Sequence, residues 1–326
     1  MTHAAALARR KDFLSFLDFD AADLERCLAL AARLKAERER GRQAPTAQAL
    51  DGRHLAMLFD KPSLRTRTTF EIAVRELGGH VVALQPDVAL GCREPVGDVA
   101  RNLERWVDGV IIRTFSQRLL EQFAAAARQL HVINALTDEQ HPCQAIADFL
   151  TLQERWETVR GRTIAYVGDG NNVAASLAHG AAMLGVNPHV ASPEGYQLAQ
   201  EAVRQAESVA RDGARLRLFT EPAEAVAGVD AVYTDTWTSM GQEAQADRRR
   251  QAFALYQVNA ELMALARPDA LFMHCLPAHR GEEVTADVFE SPASVVFDQA
   301  ENRLHGQKAL LLMLLAPAAR THHPPR

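Results

Sequence analysis

Short runs of β-branched and other apolar residues recur along this chain, each leading through a polar or Gly/Pro-containing turn into a helical pattern. The first series is His54–Phe59, Val81–Leu84, Gly109–Thr114 and His131–Asn134. The second is Thr163–Val167, His189–Ser192, Arg215–Phe219, Ala231–Thr234, Leu271–Cys275 and Val295–Asp298. Strands alternating with helices predict parallel sheets covered by helices on both faces. Two series predict two α/β domains, residues 1–145 and 146–304. A helix over Pro142–Trp156, with Ile146, Phe149, Leu150 and Gln153 in register, joins them. Asp20 or Asp23 caps a first helix along Leu24, Cys27, Leu28, Ala31 and Leu34. Open parallel sheets bind ligands beyond the carboxyl ends of their strands, so residues just after each strand carry the functional information.

Composition narrows the ligand. The chain has 326 residues, is 48% hydrophobic and has net charge −5. Of its 36 cationic side chains only Lys11, Lys35, Lys61 and Lys308 are lysines; the rest are arginines. A net acidic chain lacks the basic surplus that nucleic-acid binding needs, yet a few inward arginines would suit a small anion. Cys27, Cys92, Cys143 and Cys275 lie far apart with no CxxC pair, against a zinc cage or disulfide framework. No apolar run approaches the ~18 residues of a membrane span. The N-terminal stretch has no long apolar segment before a cleavage site, so a cytoplasmic protein is expected.

The first strand leads into Ser63-Leu64-Arg65-Thr66-Arg67, where hydroxyls, a helix N-terminus and arginines suit an anion, or equally a capped helix with surface arginines. Arg113 ends the third strand and is either a ligand or a surface ion-pair partner. His141-Pro142-Cys143-Gln144 either orients a carbonyl or is a simple turn with a buried Cys. Gly168-Asp169-Gly170-Asn171-Asn172 mimics a dinucleotide fingerprint, but the third glycine is missing. Asp235 at a strand end suits an amine, or caps a loop. His274-Cys275-Leu276-Pro277 places a thiol between His274 and Arg280, a setting that favours partial deprotonation, although a buried inert Cys is the commoner fate. Asp298–His305 offers Arg303 as another inward arginine.

Each motif alone is modest, but their order is not. Together with Ser239-Met240-Gly241 and Glu301-Asn302-Arg303, they make the chain resemble the ornithine branch of the aspartate/ornithine carbamoyltransferases from about Lys11 to Leu315. The resemblance implies a carbamoyl phosphate domain, rejoined by a terminal helix at about 305–318, and an ornithine domain. It also implies no metal or organic cofactor, a homotrimer or multiple of trimers, no nucleic-acid or membrane partner, and a place in arginine biosynthesis.

By that resemblance Ser63, Leu64, Arg65, Thr66, Arg113, His141, Pro142, Cys143, Gln144, Cys275, Leu276 and Arg303 bind carbamoyl phosphate. Asn172, Asp235, Ser239 and Met240 match ornithine positions, and Cys275, Arg113, His141 and Asp235 take part in catalysis, with Cys275 the expected proton acceptor. Two positions depart from the family pattern. Leu64 stands where Thr is frequent, and Ala89 stands where a Gln from the neighbouring subunit is frequent, with Arg93 a possible replacement and Arg67 a possible support. The alternatives are a carbamoyltransferase for putrescine or an N-acylated ornithine, a nucleotide-linked oxidoreductase, or an inactive binding protein.

Overall fold

The structure is a computed structural model describing residues 11–60, 63–84, 94–238 and 243–316. Among these residues, β1 (His54–Phe59), β2 (His80–Ala83), β3 (Gly109–Arg113) and β4 (His131–Leu136) form one sheet in the order β2-β1-β3-β4. A second sheet has the order β7-β6-β5-β8-β9, built from β5 (Thr163–Val167), β6 (Asn187–Ala191), β7 (Arg217–Phe219), β8 (Ala231–Thr234) and β9 (Leu271–His274). Neighbouring strands pair parallel throughout. The predicted fold class is the observed one.

In each sheet the chain winds one way from the first strand and then crosses to its other side. That gives switch points between β1 and β3, and between β5 and β8. Register then decides what meets there. Phe59 pairs with Arg113, so the turn after β1 lies beside the end of β3. Val167 pairs with Thr234, and Thr234 with His274. The residues that follow these partners, 168–172, Asp235 and Cys275, are thereby brought to one edge.

One expected strand is not formed. Val295–Asp298 opens a helix that runs from Val296 to Leu315, starting well before the expected residue 305. The backbone just before it bridges β9 between Phe272 and Ser294, and Gln299 on the helix itself accepts from His274 N at the end of β9. A four-residue apolar run fits a strand or one buried helical turn equally well, and here Val296 packs into the core of the second sheet. The same helix crosses back to pack on Ala21–Glu37, Leu64–Glu76 and Pro142–Arg155. It therefore carries Arg303 from the second series of elements to the first. None of the described helices is long and apolar enough to cross a membrane.

Candidate active site

A cleft of about 1020 Å³ opens where the two switch points face each other. Its first wall is the start of the Leu64–Glu76 helix. Ser63 occupies the N-cap position, but its hydroxyl caps no backbone N–H, which leaves it for the cleft. Arg65 and Thr66 follow on the same wall, with Arg113 from the end of β3 and Arg303 from the last helix. Three guanidinium groups thus meet on this side of the cleft, while the fourth that lines it, Arg250, is paired with Asp247 and Glu282. Burial lowers the pKa of Arg113 to about 10, and the charges of Arg303 and Arg65 add to that. Burial also lowers the pKa of Arg65 and of Arg303. Like charges gathered out of water are costly, and an anion seated among them relieves the cost.

Arg303 is 2% exposed and rigidly held. Its Nη1 donates to Gln144 Oε1 at 2.7 Å and its Nη2 to Thr66 Oγ1 at 2.6 Å. Thr66 accepts there, so its own hydroxyl hydrogen remains available to a ligand. His141 begins the Pro142–Arg155 helix, its backbone N–H bound to Ser176 Oγ at 2.8 Å. Its ring Nδ1 is buried without a hydrogen-bond partner. Burial, then the charges of Arg303 and Arg113, push its pKa well below the usual histidine value. A neutral imidazole at the cleft wall can share a hydrogen with a carbonyl oxygen without adding a fourth charge.

The rest of that expected segment turns inward. Pro142 fills the first helical turn, where its missing N–H costs nothing. Cys143 is buried, donates to Asn134 O at 3.3 Å, and has its pKa raised by burial to about 12. Gln144 is buried and reaches the cleft only through Arg303. None of these three side chains lines the cleft.

The opposite wall carries Asn171, Asn172, Asp235, Thr236, Cys275 and Leu276. Asp235 Oδ1 accepts from Thr236 N at 2.8 Å and from the Cys275 thiol at 3.0 Å. Its Oδ2 accepts from Asn171 Nδ2 at 2.9 Å. Asn171 cannot reverse its amide, because its Oδ1 caps the next helix at Val173 N and Ala174 N. The resemblance points to Asn172 alone, whereas Asn171, at the N-cap beyond the strand end, holds Asp235. Asn172 lines the cleft and donates to Thr137 O.

Of the two readings of the thiol, the buried and protonated one fits its surroundings. Burial, and then the adjacent Asp235 carboxylate, push the Cys275 pKa well above its usual value. The two expected helpers face elsewhere. His274 Nδ1 accepts from Leu276 N at 2.8 Å and Nε2 meets Glu283 Oε1 at 3.2 Å, so the ring holds the turn and directs no N–H at the sulfur. That turn places Leu276 at φ 60°, a conformation uncommon outside glycine. Arg280 pairs with Glu290 and lies over the Phe289 ring. Cys275 is therefore a proton donor to Asp235 in this state.

Ser239 and Met240 lie outside the described residues, as do Ala89 and Arg93; Arg67 is exposed and absent from the cleft wall. Cleft residues that the sequence does not single out are Phe115, Leu136, Asp138, Ala246, Arg250, His279 and Glu282. The ligand atoms of Asp235, His274 and Cys275 lie within 4.8 Å of one another, but hydrogen bonds among themselves and to Leu276 already occupy them.

Residues 11–154 match the carbamoyl-P binding domain of aspartate/ornithine carbamoyltransferase, and residues 160–314 match its Asp/Orn binding domain. The chain belongs to the aspartate/ornithine carbamoyltransferase family. The ornithine carbamoyltransferase of Symbiobacterium thermophilum is 51% identical over 309 residues, covering 94% of this chain and 98% of that relative. That of Thermus thermophilus is 49% identical, covering 95% and 98%. The solved Pyrococcus furiosus ornithine carbamoyltransferase superposes with a TM-score of 0.89 at 45% identity, covering 93% of this chain and 96% of that one.

Local packing accounts for the second of the fingerprint-like glycines. A Cβ on Gly170 would lie 2.2 Å from Leu198 N and 2.4 Å from Gln197 C. The residue is glycine because another backbone passes there, not because a pyrophosphate does. The helix N–H groups a pyrophosphate would take are bound to Asn171, and Asp169 pairs with the buried Arg249. Gly170→Ala sets Cβ against backbone that cannot rotate aside, so we expect about 3 kcal/mol or more of destabilisation. Urea unfolding measures it; an unchanged midpoint would contradict the packing described.

Proposed function

We propose that the chain transfers the carbamoyl group of carbamoyl phosphate to the δ-amine of L-ornithine, giving L-citrulline and phosphate. The observation carrying this reading is the facing of three guanidinium groups and a carboxylate–thiol pair across one cleft. One wall suits a phosphoryl dianion, the other a substrate amine.

Arg65, Arg303 and the N-terminal turn at Ser63 and Leu64 hold the phosphate. Arg113, His141 and Thr66 surround the carbamoyl oxygen and stabilise the charge that grows there in the tetrahedral intermediate. Ornithine binds along Asn172 and Asp235, and Ser239 and Met240 match further ornithine positions by sequence resemblance. A lysine-like amine has a solution pKa near ~10.4, so one ammonium proton must pass to solvent before attack. Asp235, already a triple acceptor, orients the amine, and Cys275 sits beside the reacting nitrogen. Nitrogen then bonds to the carbonyl carbon, the carbon–oxygen bond to phosphate breaks, and the proton released by nitrogen balances as hydrogen phosphate. Leu64 keeps the backbone N–H of the position where the family frequently has Thr, so the phosphate seat loses one hydroxyl only.

The reading extends to a homotrimer or multiple of trimers in the cytoplasm, serving arginine biosynthesis. Leu64 and Phe115 are exposed apolar side chains in the cleft wall, which supports a neighbouring subunit covering that edge. The free thiols of Cys27, Cys143 and Cys275 fit a reducing compartment. Citrulline formation from carbamoyl phosphate and ornithine tests the activity; saturable turnover of putrescine or N-acetylornithine, with none of ornithine, would overturn the choice of amine. Arg65→Ala is expected to raise the KM for carbamoyl phosphate about tenfold or more, in line with loss of a charged hydrogen bond. Unchanged affinity would refute the phosphate assignment.

A further inference from the structure

Behind the Arg303–Gln144 contact lies a buried acid that the chemistry above does not use. Asp148 sits one turn beyond Gln144 on the Pro142–Arg155 helix and is fully buried. Its Oδ1 accepts two side-chain amides at once, Gln144 Nε2 at 2.8 Å and Gln299 Nε2 at 2.7 Å. Each amide then presents its oxygen away from Asp148. Gln144 Oε1 accepts from Arg303 Nη1 at 2.7 Å, and Gln299 Oε1 accepts from His274 N at 3.0 Å. One carboxyl oxygen thereby ties together the phosphate-side arginine and the strand end that leads into Cys275.

We propose that Asp148 is a positioning residue for the anion site, fixing the direction of two amides so that Arg303 stays against Thr66 and β9 ends where Cys275 is needed. The two ends of a glutamine amide are nearly the same size, so packing alone does not choose between them. A reversed Gln144 would set its NH₂ against the Arg303 guanidinium, donor against donor, and arginine has no acceptor to offer. A reversed Gln299 would set NH₂ against the His274 N–H. An acceptor at Oδ1 forbids both reversals, which a buried leucine at this position would allow.

The role does not require charge. Asp148 Oδ2 takes neither amide and faces the Tyr233 hydroxyl, which partly offsets the effect of burial on the carboxyl. Burial raises the Asp148 pKa to about 7. Protonation on Oδ2, toward Tyr233, leaves Oδ1 accepting as before. The clamp therefore holds on either side of neutrality, and an asparagine with its oxygen at the Oδ1 position should replace it.

The inference rests on the proposed reaction only in naming the anion. Binding of inorganic phosphate to the full chain, followed by calorimetry, reads it without turnover. Asp148→Asn should keep phosphate affinity within about twofold, whereas Asp148→Ala should weaken it about tenfold, as expected when buried donors lose a shared acceptor. With both substrates, Asp148→Ala should raise the KM for carbamoyl phosphate more than that for ornithine, a split that general loosening of the fold would not give. If Asp148→Ala does not fold, Asp148→Ser, whose hydroxyl stops short of both amides, takes its place with the same expectation. Wild-type phosphate affinity in a folded Ala or Ser variant overturns the inference, as does an Asn variant as impaired as Ala. Failure of the wild-type chain to make citrulline would instead strike the proposed reaction and leave the phosphate comparison standing.

Discussion

Arg113→Ala is expected to lower turnover by about 10²–10³-fold, the usual cost of losing one preorganised donor to a developing oxyanion. The argument begins at the end of β3, where register fixes Arg113 beside the turn after β1. The rigid strand holds the guanidinium before substrate arrives, so no reorganisation is needed during reaction. Its depressed pKa of about 10 still leaves it charged at neutral pH, in a buried space shared with Arg303 and Arg65. Those neighbours make the signature specific. Removing one of three crowded like charges should leave thermal stability unchanged or raised while activity collapses. Scanning calorimetry beside steady-state kinetics tests the pair of outcomes. A variant losing both together would make Arg113 a structural residue, and one losing neither would remove it from the site.

The sequence made the strand ends legible because a parallel strand buried on both faces must be apolar along its length, and its end is marked by the first polar residue. Arg113, Asp235 and Cys275 were found that way, and Thr163–Val167 and Ala231–Thr234 match their strands residue for residue. Where an apolar run is short and its partner lies on a distant element, the pattern is ambiguous, and Val295–Asp298 proved helical. The direction in which a side chain points at a helix start was not legible either. His141 faces the cleft while Cys143 and Gln144, one and two residues into the helix past Pro142, face the core. The sequence leaves the ionisation of Cys275 open for a related reason. Sequence shows its neighbours His274 and Arg280, whereas burial acts on it first and then Asp235, forty residues away. A through-space carboxylate outweighs chain neighbours that have turned to other partners. Asn171 illustrates the same limit, since its value lies in the Asp235 contact on another strand.

That contact sets the second large effect, expected for Asp235→Asn. Its two oxygens accept from three donors, Thr236 N and the Cys275 thiol on one side and Asn171 on the other. An asparagine must put its NH₂ against one set or the other. Facing Asn171 it meets a second NH₂ that cannot reverse, because Asn171 Oδ1 is committed to the helix cap. Facing Thr236 it meets a backbone N–H. One buried donor is left unpaired either way, costing about 1–3 kcal/mol, and the amine of the substrate loses its counter-charge as well. Together these should lower kcat/KM for ornithine about 10³-fold or more, since charged hydrogen bonds are worth roughly twice neutral ones. The thiol gives an independent readout. In the wild-type chain burial and the Asp235 charge both disfavour the thiolate, so the titration of Cys275 lies well above the ordinary thiol range. Removing the negative charge moves that titration down, so more thiolate is present at a given pH and alkylation is faster. Iodoacetamide labelling of Cys275 at pH 8 should therefore be slower than for an unhindered thiol in the wild-type chain and quicker in Asp235→Asn, even as catalysis is lost. Cys275→Ser, which keeps a donor to Asp235, should retain more turnover than Cys275→Ala. Labelling at the rate of an unhindered thiol in the wild-type chain, unchanged by the Asn substitution, would mean that Asp235 does not control the sulfur, and Ser and Ala variants of equal turnover would mean that the donated hydrogen is not what Cys275 contributes.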